Sequence, residues 1–263
     1  MHLTQESLFH IFSAFKRPAI PLMKPMQAAS AIQGLIRFRV YGLSYLFSLL
    51  IVAMKMDRSV AVRKGYQVFQ RKNRMCRFVM GFSRIALYPF YRIEIEGRER
   101  LPSKDAFILL PKHQRWQDIP IIALATPRPL YFIAKYELFA NSLAGWFLES
   151  LGGIPLNRNQ PMKSRRSIKA MMELLNGGEG VVIFPEGTYY NNTMGPGKSG
   201  MLRFIISRMS FPLIPAGVQY KKIRSRTTVR VSFGDPIYPD KGLPADSVLH
   251  TVMQKIALLS GLC

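Results

Sequence analysis

The sequence predicts an α/β protein with a mostly parallel central sheet flanked by helices, preceded by an amino-terminal helical hairpin. Three observations carry this. From Tyr91 onward, short apolar runs alternate with helix-period patterns, as a parallel sheet with crossover helices requires. Before Tyr91, an apolar run lies between basic flanks and leads into a basic amphipathic stretch. Between them in character stands AFILLPKHQRWQD, residues 106–118, where an apolar strand ends and the chain turns through His113 to Asp118.

The 263 residues suffice for one substantial core with an appendage. Cys76 and Cys263 make no disulfide framework and fit a reducing compartment. His2, His10, His113 and His250 have no ligand spacing, so no metal site is expected. A net charge of +22 calls for an anionic partner: nucleic acid, anionic lipid or a phosphorylated substrate. The sign alone does not choose among them.

In the amino-terminal third, Val40–Met54 is an uncharged apolar run of 15 residues. Arg37 and Arg39 precede it, and Lys55 and Arg58 follow. A membrane-crossing helix needs ~20 residues. This shorter run with basic ends predicts a segment that dips into one leaflet and returns; a buried core helix is the alternative. In residues 60–88, Arg71, Arg74, Arg77 and Arg84 form a helical stripe. Met75, Phe78, Val79, Phe82, Ile85 and Ala86 are expected on another face. Together the two stretches predict a hairpin over residues 1–90 that beds the protein on a phospholipid membrane, monotopic and on the cytoplasmic face.

Residues 91–263 are expected to form the α/β domain. Its strands are predicted at 92–96, 107–110, 130–134, 154–156, 181–184, 213–218 and 228–233, with Pro215 breaking the sixth. Helices are predicted at 120–125, 142–150, 163–175, 198–209 and 245–259.

His113 and Asp118 stand five apart, about 140° around a single helix. They can meet only if a turn separates them. Asp118 before Ile119 and Pro120 suits a helix N-cap. A histidine held by a carboxylate is a general-base pair, and an imidazole titrating near ~6.5 suits that work at neutral pH. A partly buried histidine beside a capping aspartate is the other reading of the spacing.

In open α/β sheets, chemistry sits where strands end. Four stretches stand there: His113–Asp118, Gly152-GIPLN-Arg158, Phe184-Pro-Glu-Gly-Thr188 and Leu213-Ile-Pro-Ala216. In this order they resemble the four blocks of the lysophospholipid (glycerolipid) acyltransferase family, in its 1-acyl-glycerol-3-phosphate acyltransferase branch. Lys135-Tyr-Glu-Leu138 also looks like that family's lysine and E-L pair. The resemblance covers residues 91–233.

The resemblance implies a glycerolipid acyltransferase-like fold and an acyl transfer. The acceptor would be a lysophospholipid hydroxyl, and the donor acyl-CoA or acyl carrier protein. It implies His113 as base, Asp118 as its orienting carboxylate and Arg158 as phosphate ligand. Glu186, Gly187 and Thr188 would position the acceptor, with Lys135 also in the binding set. No cofactor is implied. The chain departs from the family at Tyr189 and Tyr190, where Arg-Ser is usual. Lys198 offers a replacement cation; otherwise the acceptor is another lysophospholipid or a non-phosphorylated lyso-lipid.

No G-x-S-x-G elbow is present. Gly195-Pro-Gly-Lys-Ser-Gly200 lacks both the P-loop's first glycine, Asn192 standing there, and the acid a dinucleotide site wants downstream. A nucleic-acid binder is the alternative that the charge permits, but no such motif is found and the cations concentrate beside apolar helices.

Overall fold

The computed structural model describes residues 71–157, 161–198, 200, 203–205, 210–223, 225–239 and 242–262. The chain divides into two units, residues 1–63 and 64–263, and the described residues belong to the second. Val40–Met54 and the hairpin expected around it lie outside the described residues.

Helix α1 (Asn73–Leu87) leads into β1 (Tyr91–Glu96), β2 (Phe107–Pro111) and α2 (Asp118–Ala125). Then come β3 (Tyr131–Lys135), α3 (Ser142–Ser150), β4 (Gly153–Leu156), α4 (Pro161–Asn176) and β5 (Gly180–Val182). Finally β6 (Leu213–Ile223), β7 (Arg226–Phe233) and α5 (Ala245–Leu259) complete the order. Of the helix expected over 198–209, Lys198 is non-helical, Arg203–Ile205 are helical, and much of the rest lies outside the described residues.

The sheet order is β1-β7-β6-β2-β5-β3-β4. Strands β6, β2, β5, β3 and β4 run parallel. β7 is antiparallel to β6, and β1 is parallel to β7. All five residues of β2 are buried, as a central strand covered on both faces demands. Its alternate side chains serve two cores. Ile108 and Leu110 join Met171, Leu174, Val252 and Ile256 under α4 and α5. Phe107 and Leu109 join Ile121, Ile122 and Ala125 under α2. Each such buried Leu, Ile, Val, Phe or Met side chain contributes roughly 1.5–3 kcal/mol.

Three expectations are corrected. Pro215 does not break its strand: it pairs with Leu110 inside β6. It lies one step past the last β6–β7 rung, Ala216 with Phe233, and its carbonyl accepts from Gly234 N at 2.8 Å. The N–H it lacks would point the same way, where the ladder has ended, so nothing is lost. Second, β6 and β7 extend beyond the expected ends, because they pair with each other as a hairpin where β2 has stopped. Third, β5 ends at Val182, not Phe184. Ile183 N still bonds Leu109 O at 2.9 Å, but Phe184 turns out of the sheet toward His113.

Helix α1 packs on α2. Its start is tied down by Lys72 N to Ser150 O at 2.9 Å and by the Arg71 guanidinium to Pro129 O at 3.1 Å. The separation of its arginines from its apolar residues is also corrected. Phe78 and Ile85 are exposed, together with Arg74, Arg77, Arg84 and Tyr88. Steps of three and four along a helix return to one face, so these positions share a line. Cys76 points the other way and is buried.

Candidate active site

β2 ends at Pro111, and the next seven residues build the site. Lys112 N closes the parallel ladder on Ala216 O at 2.9 Å. The chain then turns, and Asp118 opens α2. Asp118 is the first helical residue, not the N-cap, which is Gln117. The reason is where its carboxylate goes. Oδ2 turns back to accept from Gln114 N at 2.6 Å and Arg115 N at 2.8 Å, so it closes the preceding turn. Its place at the helix start also suits its charge to the dipole.

That same Oδ2 lies 3.1 Å from His113 Nδ1. The Asp118 side chain is fully buried, and that of His113 is 10% exposed. Among the described residues, no group bonds Nε2 of His113. The ring is held between two aromatics. Phe184 stacks on it at 3.8 Å with planes 25° apart, and Tyr189 meets it at 4.3 Å and 60°. Burial first, and the Asp118 charge second, push the Tyr189 hydroxyl above its ordinary value, so it is neutral at working pH.

Under the turn lies a buried ion pair that the spacing of motifs did not reveal. Lys112 Nζ bonds both oxygens of Glu186, at 2.9 and 2.8 Å, and both side chains have no exposure. Lys112 also donates to Tyr190 O at 2.9 Å and His113 O at 3.3 Å. Glu186 accepts in addition from His113 N at 3.1 Å and Gly195 N at 2.7 Å. Such a pair is tolerable because its hydrogen-bonding capacity is filled. It rivets the loop after β5 to the turn after β2. Gly187 (φ 70°) lets that loop reverse just beyond the buried carboxylate. Tyr190 N to His113 O at 3.0 Å and Asn192 N to Gln114 Oε1 at 2.9 Å continue the seam.

β6 grips the turn from the other side. Gln114 Nε2 donates to Val218 O at 2.5 Å, and the Tyr220 hydroxyl donates to Asp118 Oδ1 at 2.5 Å. Tyr220 and Lys112 were absent from the sequence-derived set.

The other expected residues distribute as follows. Thr188 is half-buried beside Gly187 and Tyr189. Lys135 is exposed at the carboxyl end of β3, two strands and thus roughly 10 Å across the sheet from β2. Lys198 is exposed, and its backbone N bonds Pro185 O at 2.8 Å, which keeps its loop beside Phe184–Thr188. Arg158 lies outside the described residues, two positions past the end of β4. His113, Lys135 and Glu186–Thr188 therefore stand at the carboxyl ends of β2, β3 and β5. The described residues contain no group of three or more His, Cys, Asp or Glu that could hold a metal.

A profile of the Acyltransferase family matches residues 92–219, from β1 into β6. The chloroplastic 1-acyl-sn-glycerol-3-phosphate acyltransferase LPAT1 of Arabidopsis thaliana is 30% identical over 257 residues, 93% of this chain and 67% of that protein. The chloroplastic enzyme BAT2 of Brassica napus, of the same name, is 31% identical over 188 residues. That match takes in 67% of this chain but 54% of the relative, so the chain spans about half its length. The crystal structure of the 1-acyl-sn-glycerophosphate (LPA) acyltransferase PlsC from Thermotoga maritima shares the fold. The TM-score is 0.61 at 21% identity, with 90% of this chain and 99% of that one covered. A histidine–aspartate pair at the carboxyl end of a parallel sheet, set within these matches, identifies the chain as a member of the glycerolipid acyltransferase family.

Proposed function

We propose that the chain transfers a fatty acyl group from an acyl thioester to the free hydroxyl of 1-acyl-glycerol-3-phosphate, forming phosphatidic acid. The observation that carries this is the His113 Nδ1 to Asp118 Oδ2 contact at 3.1 Å, with Nε2 left without a protein partner among the described residues. Nε2 takes the hydroxyl proton as the acceptor oxygen attacks the thioester carbonyl carbon. The C–S bond then breaks, and the imidazolium returns the proton to the departing thiolate. Asp118 holds the tautomer that leaves Nε2 basic and stabilises the imidazolium. A base so placed is worth ~10²–10⁴-fold. Arg158, Lys135 and Lys198 are the cations proposed for the acceptor phosphate and the anionic donor, acyl-CoA or acyl carrier protein. Gly187 and Thr188 are proposed to line the acceptor's place. Glu186, with its oxygens engaged by Lys112, His113 N and Gly195 N, would act by holding that loop.

The enzyme is proposed to work on a phospholipid leaflet from the cytoplasmic face, with residues 1–90 as the membrane-associated part and 91–263 as the catalytic part. No helix among the described residues is long and apolar enough to cross a membrane. The mixed face of α1, with Arg74, Arg77 and Arg84 among Phe78, Ile85 and Tyr88, suits an anionic leaflet by both charge and apolar area.

Tyr189 favours a second reading. It lies against His113, where the family's arginine would stand, and it brings no cation. An acceptor with a different headgroup, or none, fits that face. The test is acyl transfer to a panel of lyso-lipids with and without phosphate. The first reading expects 1-acyl-glycerol-3-phosphate to be the best acceptor. Preference for an uncharged lyso-lipid, reversed by Tyr189→Arg, would establish the second.

A further inference from the structure

The Asp118 carboxylate is buried, and its two oxygens are bound in different ways. Oδ2 takes three contacts from its own turn: His113 Nδ1, Gln114 N and Arg115 N. Oδ1 faces away from the turn and takes the Tyr220 hydroxyl at 2.5 Å, from a residue 102 positions later in the chain. Among the described residues, that is the contact tying the carboxylate to the sheet. Rotation about Cβ–Cγ would carry Oδ2 off the imidazole, and a donor fixed on Oδ1 opposes it.

We propose that Tyr220 is a positioning residue for the acyl transfer, holding the plane of the Asp118 carboxylate and drawing part of its charge away from His113. This rests on His113 being the base. Burial and the Asp118 charge push the Tyr220 hydroxyl far above its ordinary value, so it remains a donor across the working pH range. Other titratable or charged groups face this network from each neighbouring element. Arg115 lies over the Tyr220 ring at 4.3 Å, and Tyr91 of β1 meets that ring at 6.4 Å. Tyr189 covers His113, and Lys112 and Glu186 compensate each other below.

Removing the hydroxyl leaves Oδ1 buried without a donor and concentrates charge on Oδ2, which favours the imidazolium. The base is then protonated over a wider range. The test is the kcat/KM profile against pH for the full chain in mixed micelles. Tyr220→Phe is expected to lower the plateau roughly tenfold and move the acid limb up by roughly 0.5–1 pH unit, with KM for both substrates unchanged. Tyr91→Leu, which removes packing but no bond to Asp118, is expected to leave the acid limb in place. Should Tyr220→Phe fold poorly, Tyr220→3-fluorotyrosine retains the ring and strengthens the donor, and the acid limb is expected to move down. Acid limbs that coincide with the native profile would overturn the proposal while His113→Ala stays inactive. An active His113→Ala would instead remove the base reading on which it rests.

Discussion

Nδ1 of His113 lies 3.1 Å from Oδ2 of Asp118, and the carboxylate that makes this contact is fully buried. Its position depends on local backbone donors as well as on the histidine, so charge and geometry are separable. Asp118→Asn keeps the shape and can still accept from Gln114 N and Arg115 N. The same oxygen can still accept from His113 Nδ1, so what is lost is the charge that stabilises the imidazolium. Acyl transfer is expected to fall by ~10²–10⁴-fold with an unchanged melting profile. A variant within a fewfold of native activity would show that Asp118 only shapes the turn.

The Lys112–Glu186 pair predicts a stability effect with a distinctive pattern. Lys112→Met leaves Glu186 charged and buried, and is expected to cost ~3–5 kcal/mol in denaturant unfolding. Lys112→Met combined with Glu186→Gln removes both charges while an amide oxygen remains for a buried backbone donor, and should recover part of that loss. If the double variant is no more stable than the single one, the pair does not act as a coupled rivet.

Alkaline stability follows from the tyrosines. Burial pushes the hydroxyls of Tyr131, Tyr189 and Tyr220 above their ordinary value of 10.0. The folded state therefore holds these protons more tightly than the unfolded state. Their contribution is fully present below the ordinary value and is lost as pH rises above it. Tyr131 and Tyr220 each contribute a slope of up to ~1.4 kcal/mol per pH unit in that window, whereas Tyr189, 48% exposed, is screened by solvent and adds little. Unfolding free energy measured from pH 9 to 11 should fall on the alkaline side, and Tyr220→Phe should fall less steeply. Parallel curves would contradict this account of Tyr220.

The α1 face predicts salt-sensitive lipid binding. Replacing Arg74, Arg77 and Arg84 by glutamine is expected to weaken binding to vesicles containing anionic lipid by ~1 kcal/mol per residue at low salt. Binding to zwitterionic vesicles should change little. Equal loss on both vesicle types would mean that the arginines serve the fold.

Much of the sheet was legible because β2 and β5 are short apolar runs buried on both faces, and β3 is an apolar run with one buried face. β6 was read too short for a physical reason. Beyond Val218 its residues are Gln219, Tyr220, Lys221 and Lys222, held in the strand by pairing with β7 and not by burial. Tyr220 was hidden with them, although alternation from Ala216 and Val218 points it to the same face. The His113–Asp118 contact was readable from a strand, a turn and a helix start. The Lys112–Glu186 contact was not, because opposite charges 74 residues apart meet only when β2 and β5 lie side by side. A lysine directly after a buried strand was the available clue. On α1, periodicity found Arg74, Arg77 and Arg84 on one stripe, but Arg71 lies before the helix with its guanidinium turned to Pro129 O and Glu179, and Phe78 and Ile85 share the stripe's exposed side.

The most direct test is the transfer rate of His113→Ala with an acyl thioester donor and 1-acyl-glycerol-3-phosphate, after its fold has been checked by circular dichroism. With the base removed and Asp118, Tyr220 and the buried ion pair intact, the rate is expected to drop by ~10²–10⁴-fold, with substrate binding retained. A folded His113→Ala that still forms phosphatidic acid at a rate near native would contradict the account at its centre.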